Sequence, residues 1–235
     1  MLKTSTKNAH IVHKNLKQIE RKKSLQIANR QFFSFVNKNR FLLNCELTSG
    51  INKKYYSKYK FTAQVEAAVN KQIQAEQQAS QDYLSMAVIF LHPCISKPGA
   101  GGYFMRMYEE EIGHMQDFIQ YQLLRGGTTV IDGIKTPEIK TNLTLIEAFK
   151  KGLDMEKNIT EVLENLIITA ESVKDYHCAD FVTSVFMDEQ MRSVNEMSHH
   201  VTKLAKLCDS ELALYYYDLQ LAKNYPWSYK PRAHV

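Results

Sequence analysis

Proline and glycine are scarce in this chain, five and nine of 235 residues, which with 44% hydrophobic content fits a helical core rather than a loop-rich one. No run of apolar residues approaches the ~20 that a membrane-crossing helix needs, so no span is expected. The four cysteines, Cys45, Cys94, Cys178 and Cys208, are scattered and form no C-x-x-C. Such spacing argues against a disulfide scaffold or zinc ribbon and suits a reducing compartment. Acidic residues are nearly missing from the first 60 positions, which hold 14 Lys and Arg against Glu20 and Glu46 alone. That net of +12, within a whole-chain +5, leaves −7 on the other 175 residues and marks the first 60 for a separate job.

The rest carries helical periodicity. At about 100° per residue, Val65, Val69, Ile73, Tyr83, Ala87 and Phe90 share one stripe, and Phe104, Tyr108, Met115 and Phe118 a second. A third runs Phe149, Leu153, Ile159 and Leu163, and a fourth Phe186, Val194, Met197, Val201 and Leu204. Each stripe is interrupted by a residue with metal-ligand chemistry: Glu76, Glu111 with His114, Glu156, and Gln190. Carboxylates are almost never fully buried unless paired, because an ionised group in low dielectric neutralises instead. Taken singly, each acid has a plainer account as a boundary residue reaching solvent, His114 as a satisfied core histidine and Gln190 as a core polar residue. Taken together they lie near the middles of their helices, so closing a bundle brings them to one level, and three converging carboxylates point to a bound cation.

Glu111 and His114 are three residues apart, so they project from neighbouring angles of one helix and can grip one metal together. Glu-x-x-His is a motif of carboxylate di-iron bundles. The spelling alone is weak, since Glu196 and His199 repeat it. Measured from Gln190, Glu196 points roughly 120° away and His199 roughly 180° away, which puts that copy on a solvated face.

Loop lengths predict an all-α architecture of defined topology. The link HPCISKP at 92–98 and the link at 172–176 are short, so helices one and two, and three and four, are antiparallel. Between helices two and three, residues 126–142 lack helical periodicity. Those 17 residues reach roughly 56 Å when extended, more than the roughly 39 Å of a 26-residue helix. The link can therefore cross the bundle and set helix three parallel to helix two. It carries Val130, Ile131 and Ile134, which are expected to pack, and Leu212 through Leu221 reads as a short fifth helix.

At these positions the chain resembles the ferritins, specifically the catalytic heavy-chain type. The stretches that carry the likeness are QIQAEQQASQDYLSM (72–86), YEEEIGHMQ (108–116), LDMEKNITEVLENL (153–166) and DEQMRSV (188–194), in the family's order and separation from about residue 61 to 206. The resemblance implies a ferritin-like four-helix bundle with one long crossover and a short C-terminal helix, over 61–225, with a tail at 226–235. It further implies a ferroxidase centre on Glu76, Tyr83, Glu111, His114, Glu156 and Gln190. Glu76 and His114 would hold two irons with Glu156, Glu111 would bridge them, Gln190 would bond iron-bound oxygen or water, and Tyr83 a ligand. Iron is then both substrate, as Fe²⁺, and product, as Fe³⁺. The family's mineral-nucleating acids match only Glu110, the other two being Gly113 and Gln116. Its threefold pore, by which iron enters, keeps Asp180 and His177 but has Thr183 for its second acid. A ring of Asp180 carboxylates would still attract Fe²⁺ by a focused field.

The chemistry expected of such a site is oxidation and release. Three carboxylates against two Fe²⁺ leave one positive charge, and few ligands per metal leave room for O₂. Oxygen-rich ligation suits ferric product as well as ferrous substrate. Symmetric di-iron oxygenases carry a second Glu-x-x-His, and this chain has Gln190 there, which favours iron oxidation and storage over substrate oxygenation. The partners expected are ferrous iron, O₂ and further subunits of a twenty-four-subunit cage, alone or mixed with other ferritin chains; nucleic acid is not expected. The alternatives are a non-catalytic cage subunit and a di-iron substrate oxidase.

Residues 1–60 show no apolar h-region after a charged start. Basic, acid-poor, Ser-containing sequence with interspersed Leu, Ile and Phe resembles a mitochondrial transit peptide removed after import. The rival readings are a disordered tail that binds nucleic acid or another anionic surface, or a harmless extension, with a cytoplasmic location as the alternative. No Met lies between Met1 and Met86, so the bundle does not begin at an internal start.

Overall fold

The computed structural model describes residues 58–138, 140, 142–207 and 210–228. Most of the basic extension and most of the 226–235 tail lie outside them. Helix α1 spans Ala63–Leu91, α2 Pro98–Leu124, α3 Leu145–Ser172, α4 Tyr176–Val182, α5 Asp188–Lys206 and α6 Glu211–Asn224. A π-helical turn, Thr183–Met187, joins α4 to α5 through helical backbone on both sides, so the three run on as the fourth rod of a bundle. No described helix is long and apolar enough to cross a membrane.

Helix starts follow local chemistry. Thr62 caps α1 by accepting from the Val65 amide, Thr144 and Glu147 form a reciprocal capping box on α3, and Asp175 caps α4. The end of α2 is a Schellman turn: Gly126 takes a left-handed φ of 72°, with Gly126 N donating to Leu123 O and Gly127 N to Gln122 O. Between α3 and α4, Lys174 takes that left-handed position with φ 59°. Helix α2 begins at proline with no side-chain cap of its own. Asp218 of α6 supplies one, accepting from Gly99 N at 3.2 Å and Ala100 N at 2.8 Å.

The core divides into two clusters. One holds Val65, Val69, Ile73, Phe118, Ile159, Leu163 and Phe186; the other Tyr83, Phe90, Phe104, Phe149, Met197 and Leu204. The order in which each helix visits them gives its direction. Helix α1 runs from the first to the second, α2 and α3 from the second to the first, and the fourth rod, from α4 through the π turn to α5, from the first to the second. Helices α2 and α3 are therefore parallel, as only a chain-length crossover permits.

That crossover, residues 125–144, is held by a polar ladder along α1. Asn70 exchanges bonds with Thr128 O and Val130 N, Gln74 donates to Gly133 O, and Gln78 bonds both N and O of Lys135. Its apolar residues Val130 and Ile131 remain exposed in the subunit, so the packing expected of them is not made within a single subunit. The π turn departs from the regular helical spacing of the fourth stripe. Its extra backbone residue shifts the face presented by everything after it.

Candidate metal centre

Between the two apolar clusters lies one polar layer. On α1, Glu76 falls between Ile73 and Tyr83; on α2, Glu111 between Phe104 and Phe118; on α3, Glu156 between Phe149 and Ile159; on α5, Gln190 follows Phe186 and precedes Met197. All four are buried, Glu76 completely and Glu111 and Glu156 to 2% exposure. The helices bring them together because each apolar stripe continues above and below, so the backbone cannot rotate the acid outward without exposing its own core residues.

Glu76, Glu111 and His114 each present one ligand atom within 4.8 Å of the others, the geometry of a group that can hold a metal ion. His114 Nδ1 lies 3.3 Å from Glu111 Oε2, and its Nε2 3.5 Å from Glu189 Oε2. Gln72 donates to Glu76 Oε1 at 2.7 Å, while Glu76 Oε2 is buried with no hydrogen-bond partner. Glu156 stands beside this trio with both oxygens engaged. Tyr83 OH donates to Oε1, and Gln190 Nε2 donates to Oε2 at 2.6 Å and to the Glu156 backbone carbonyl at 3.0 Å.

The electrostatics say what such a layer demands. Burial pushes the Glu76 carboxyl well above its usual range, and the charge of Glu111 adds to it. Burial and then the charge of Glu156 push Glu111 up to about 8. Glu156 is raised by burial too, against the opposing bonds from Tyr83 and Gln190. Like charges this close, out of water, must either hold protons or share a cation. A divalent ion fits the donors present, hard oxygens with one imidazole, and meets the orphaned Glu76 oxygen.

A second group, Glu110, His114 and Glu189, adjoins the first through His114. Glu189 left no signal in the sequence, because on its own helix it belongs to no stripe and its side chain is about half exposed. Gln72 is a second omission, although its place one turn before Glu76 was a signal. Glu110 is half-buried, 3.7 Å from Arg106. Around Gly113 an added Cβ would meet nothing within 4 Å. His177 and Asp180 lie one turn apart on the exposed side of α4, with His177 Nδ1 3.1 Å from Tyr121 OH. Glu196 and His199 are exposed, as their angles required.

A bundle of four rods with one crossover, split at mid-height by a carboxylate and histidine layer, defines the class of ferritin-like metal-binding bundles. The family described as the ferritin-like domain matches residues 66–207. The chain is 35% identical over 147 residues to the soma ferritin of Lymnaea stagnalis, covering 63% of this chain and 84% of that one. It is 31% identical over 157 residues to a ferritin of Pacifastacus leniusculus, covering 67% and 87%. Over 155 residues it is 32% identical to the ferritin middle subunit of Salmo salar, covering 65% and 88%. The chain belongs to the ferritin family, which stores iron in cage oligomers.

Proposed function

We propose that this chain is a ferroxidase subunit of the heavy-chain type, oxidising Fe²⁺ with O₂ at an intrasubunit di-iron centre and passing Fe³⁺ into a twenty-four-subunit cage for storage as mineral. The observation that carries this is the buried layer itself. Glu76, Glu111 and His114 converge within 4.8 Å, with Glu156 adjoining. A storage shell alone has no use for carboxylates whose burial is costly.

In this reading Glu76 binds one ferrous ion and His114 the second, Glu111 bridges them, and Glu156 swings an oxygen from its present partners toward the metals. Gln190 and Tyr83 hold Glu156 until iron arrives and afterwards offer hydrogen bonds to bound oxygen or water. Each Fe²⁺ gives one electron to O₂. Charge balance then favours departure, since two ferric ions overload three carboxylates, and Glu110 with Glu189 gives the product a next stop. Asp180 and His177 are proposed to draw Fe²⁺ in. Residues 1–60 are proposed to direct import into mitochondria, with a cytoplasmic location as the alternative.

The test is O₂-dependent Fe²⁺ oxidation, followed as ferric absorbance, for the wild type and for Glu111→Ala with His114→Ala. The reading expects fast oxidation that the double variant reduces to the uncatalysed background. Equal rates would leave a non-catalytic cage subunit.

A further inference from the structure

Gln72 and Glu76 lie one turn apart on α1, and both are fully buried. Gln72 Nε2 donates to Glu76 Oε1 at 2.7 Å. The second oxygen-bearing end of each is left over, since neither Gln72 Oε1 nor Glu76 Oε2 has a hydrogen-bond partner. Glu156 on α3 is held differently, with one oxygen bonded by Tyr83 and the other by Gln190. The layer therefore grips one carboxylate at both oxygens and another at only one.

Packing does not call for an amide at position 72. The buried positions beside it on α1, Val69 and Ile73, belong to the apolar cluster that closes the layer on that side. Methionine, unbranched and of similar length, would fill the same space without burying a carbonyl that nothing bonds. An orphaned buried acceptor costs about 1–3 kcal/mol. Against that cost, the one bond the amide makes among the described residues is to Glu76.

That bond limits how Glu76 can meet an ion. A carboxylate free at both oxygens can turn about its last torsion and chelate a cation with the pair. With Oε1 committed to Gln72, Oε2 alone remains. Each oxygen the protein supplies fills a place around the metal that O₂ or water would otherwise take, so the count of oxygens from Glu76 bears on what else the ion can bind.

We propose that Gln72 is a positioning residue of the carboxylate layer, restricting Glu76 to one-oxygen coordination of a divalent cation and so keeping one place on that ion open to O₂. Gln72 touches neither the ion nor O₂ and acts through Glu76. The use of the open place rests on the ferroxidase reading; the restriction itself applies to any divalent ion that enters the layer. Groups that orient a metal ligand from behind commonly change affinity or activity by about 10–100-fold when removed. Here the change falls on turnover, because Glu76 keeps its charge and its place.

The test compares the full-length wild type with Gln72→Met, which keeps the volume without a donor, and Gln72→Asn, which keeps an amide one methylene too short to reach Glu76. Circular dichroism checks the fold of each, and should one variant lose its helical signal the other decides. Co²⁺ is the first probe, since it stays divalent in the layer and its visible absorption weakens as its coordination number rises. The part of the spectrum that Glu76→Ala abolishes belongs to the layer. In both Gln72 variants Co²⁺ should bind in the wild-type amount with that band several-fold weaker. Steady-state Fe²⁺ oxidation is the second probe: kcat should fall about tenfold, with KM for Fe²⁺ little changed. A layer band of equal intensity in the wild type and the folded variants overturns the positioning role, and so does a raised KM with kcat unchanged, which would make Gln72 an aid to binding alone. If the wild type oxidises Fe²⁺ no faster than the uncatalysed background, the ferroxidase reading falls, while a band that weakens in both variants still upholds the restriction on Glu76.

Discussion

Asp218, near the C-terminal end of the described chain, caps the helix that begins with Pro98 by accepting the Ala100 amide at 2.8 Å. Gly99 donates to the same carboxylate, and a Cβ on Gly99 would stand 2.0 Å from the Asp218 carbonyl oxygen. Helix α6 thus seats directly on the N-terminus of α2, where a carboxylate also meets the positive end of the helix dipole.

Removing this cap is expected to loosen α6. Asp218→Ala should cost about 1 kcal/mol, as N-cap losses do, and lower the thermal midpoint. Asp218→Asn, which still accepts, should cost less. Equal stability of Asp218→Ala and wild type would refute the capping role.

Two glycines of α2 should respond oppositely to the same substitution. Gly113 has open space around its missing Cβ, so Gly113→Ala should stabilise the helix by about 0.5–1 kcal/mol through lost unfolded-state freedom. A Cβ on Gly102 would stand 2.1 Å from the Tyr225 carbonyl oxygen. Gly102→Ala should therefore displace the chain after α6 and lower the midpoint. Chemical denaturation of the two variants decides it.

The buried carboxylate layer makes stability depend on pH in a direction that a bound cation is expected to reverse. In the metal-free protein Glu111 is raised to about 8 and Glu76 is raised too, so near pH 7 the folded state holds protons that the unfolded chain has released. Stability then falls as pH rises from the ordinary carboxylate range toward 8. A bound divalent cation replaces those protons. Melting curves at pH 5 to 8 should show a decline without metal and a much flatter profile with Zn²⁺. The same decline with and without metal would remove the cation from the account.

The basic extension is proposed to be cleaved on import. Protein isolated from its source should begin between about residues 30 and 60, as read by mass spectrometry of the intact subunit. An intact Met1 would remove the targeting proposal.

What the residue pattern revealed, and what it hid, follows from the range of each interaction. The rods were legible because Val65, Val69 and Ile73, like Phe149 and Leu163, repeat at helical spacing, and the parallel pair because residues 126–142 are long enough to cross. The layer was legible because Glu76, Glu111 and Glu156 interrupt apolar stripes, which burial statistics forbid without a reason. Contacts made only when distant helices meet left no such trace. Glu189 neighbours His114 across two helices, Asp218 caps Ala100 from 118 positions away, and Arg125 clasps Asp175 with both guanidinium nitrogens. The π turn at Thr183–Met187 escaped for another reason: one extra residue in five changes backbone register without changing composition.

The most direct measurement of the central claim is anomalous diffraction from crystals soaked in Fe²⁺ under air, with Zn²⁺ as a redox-silent control. The account predicts metal peaks bounded by Glu76, Glu111 and His114, with a second position reached by Glu156. Peaks confined to exposed acids, with nothing between those side chains, would contradict it.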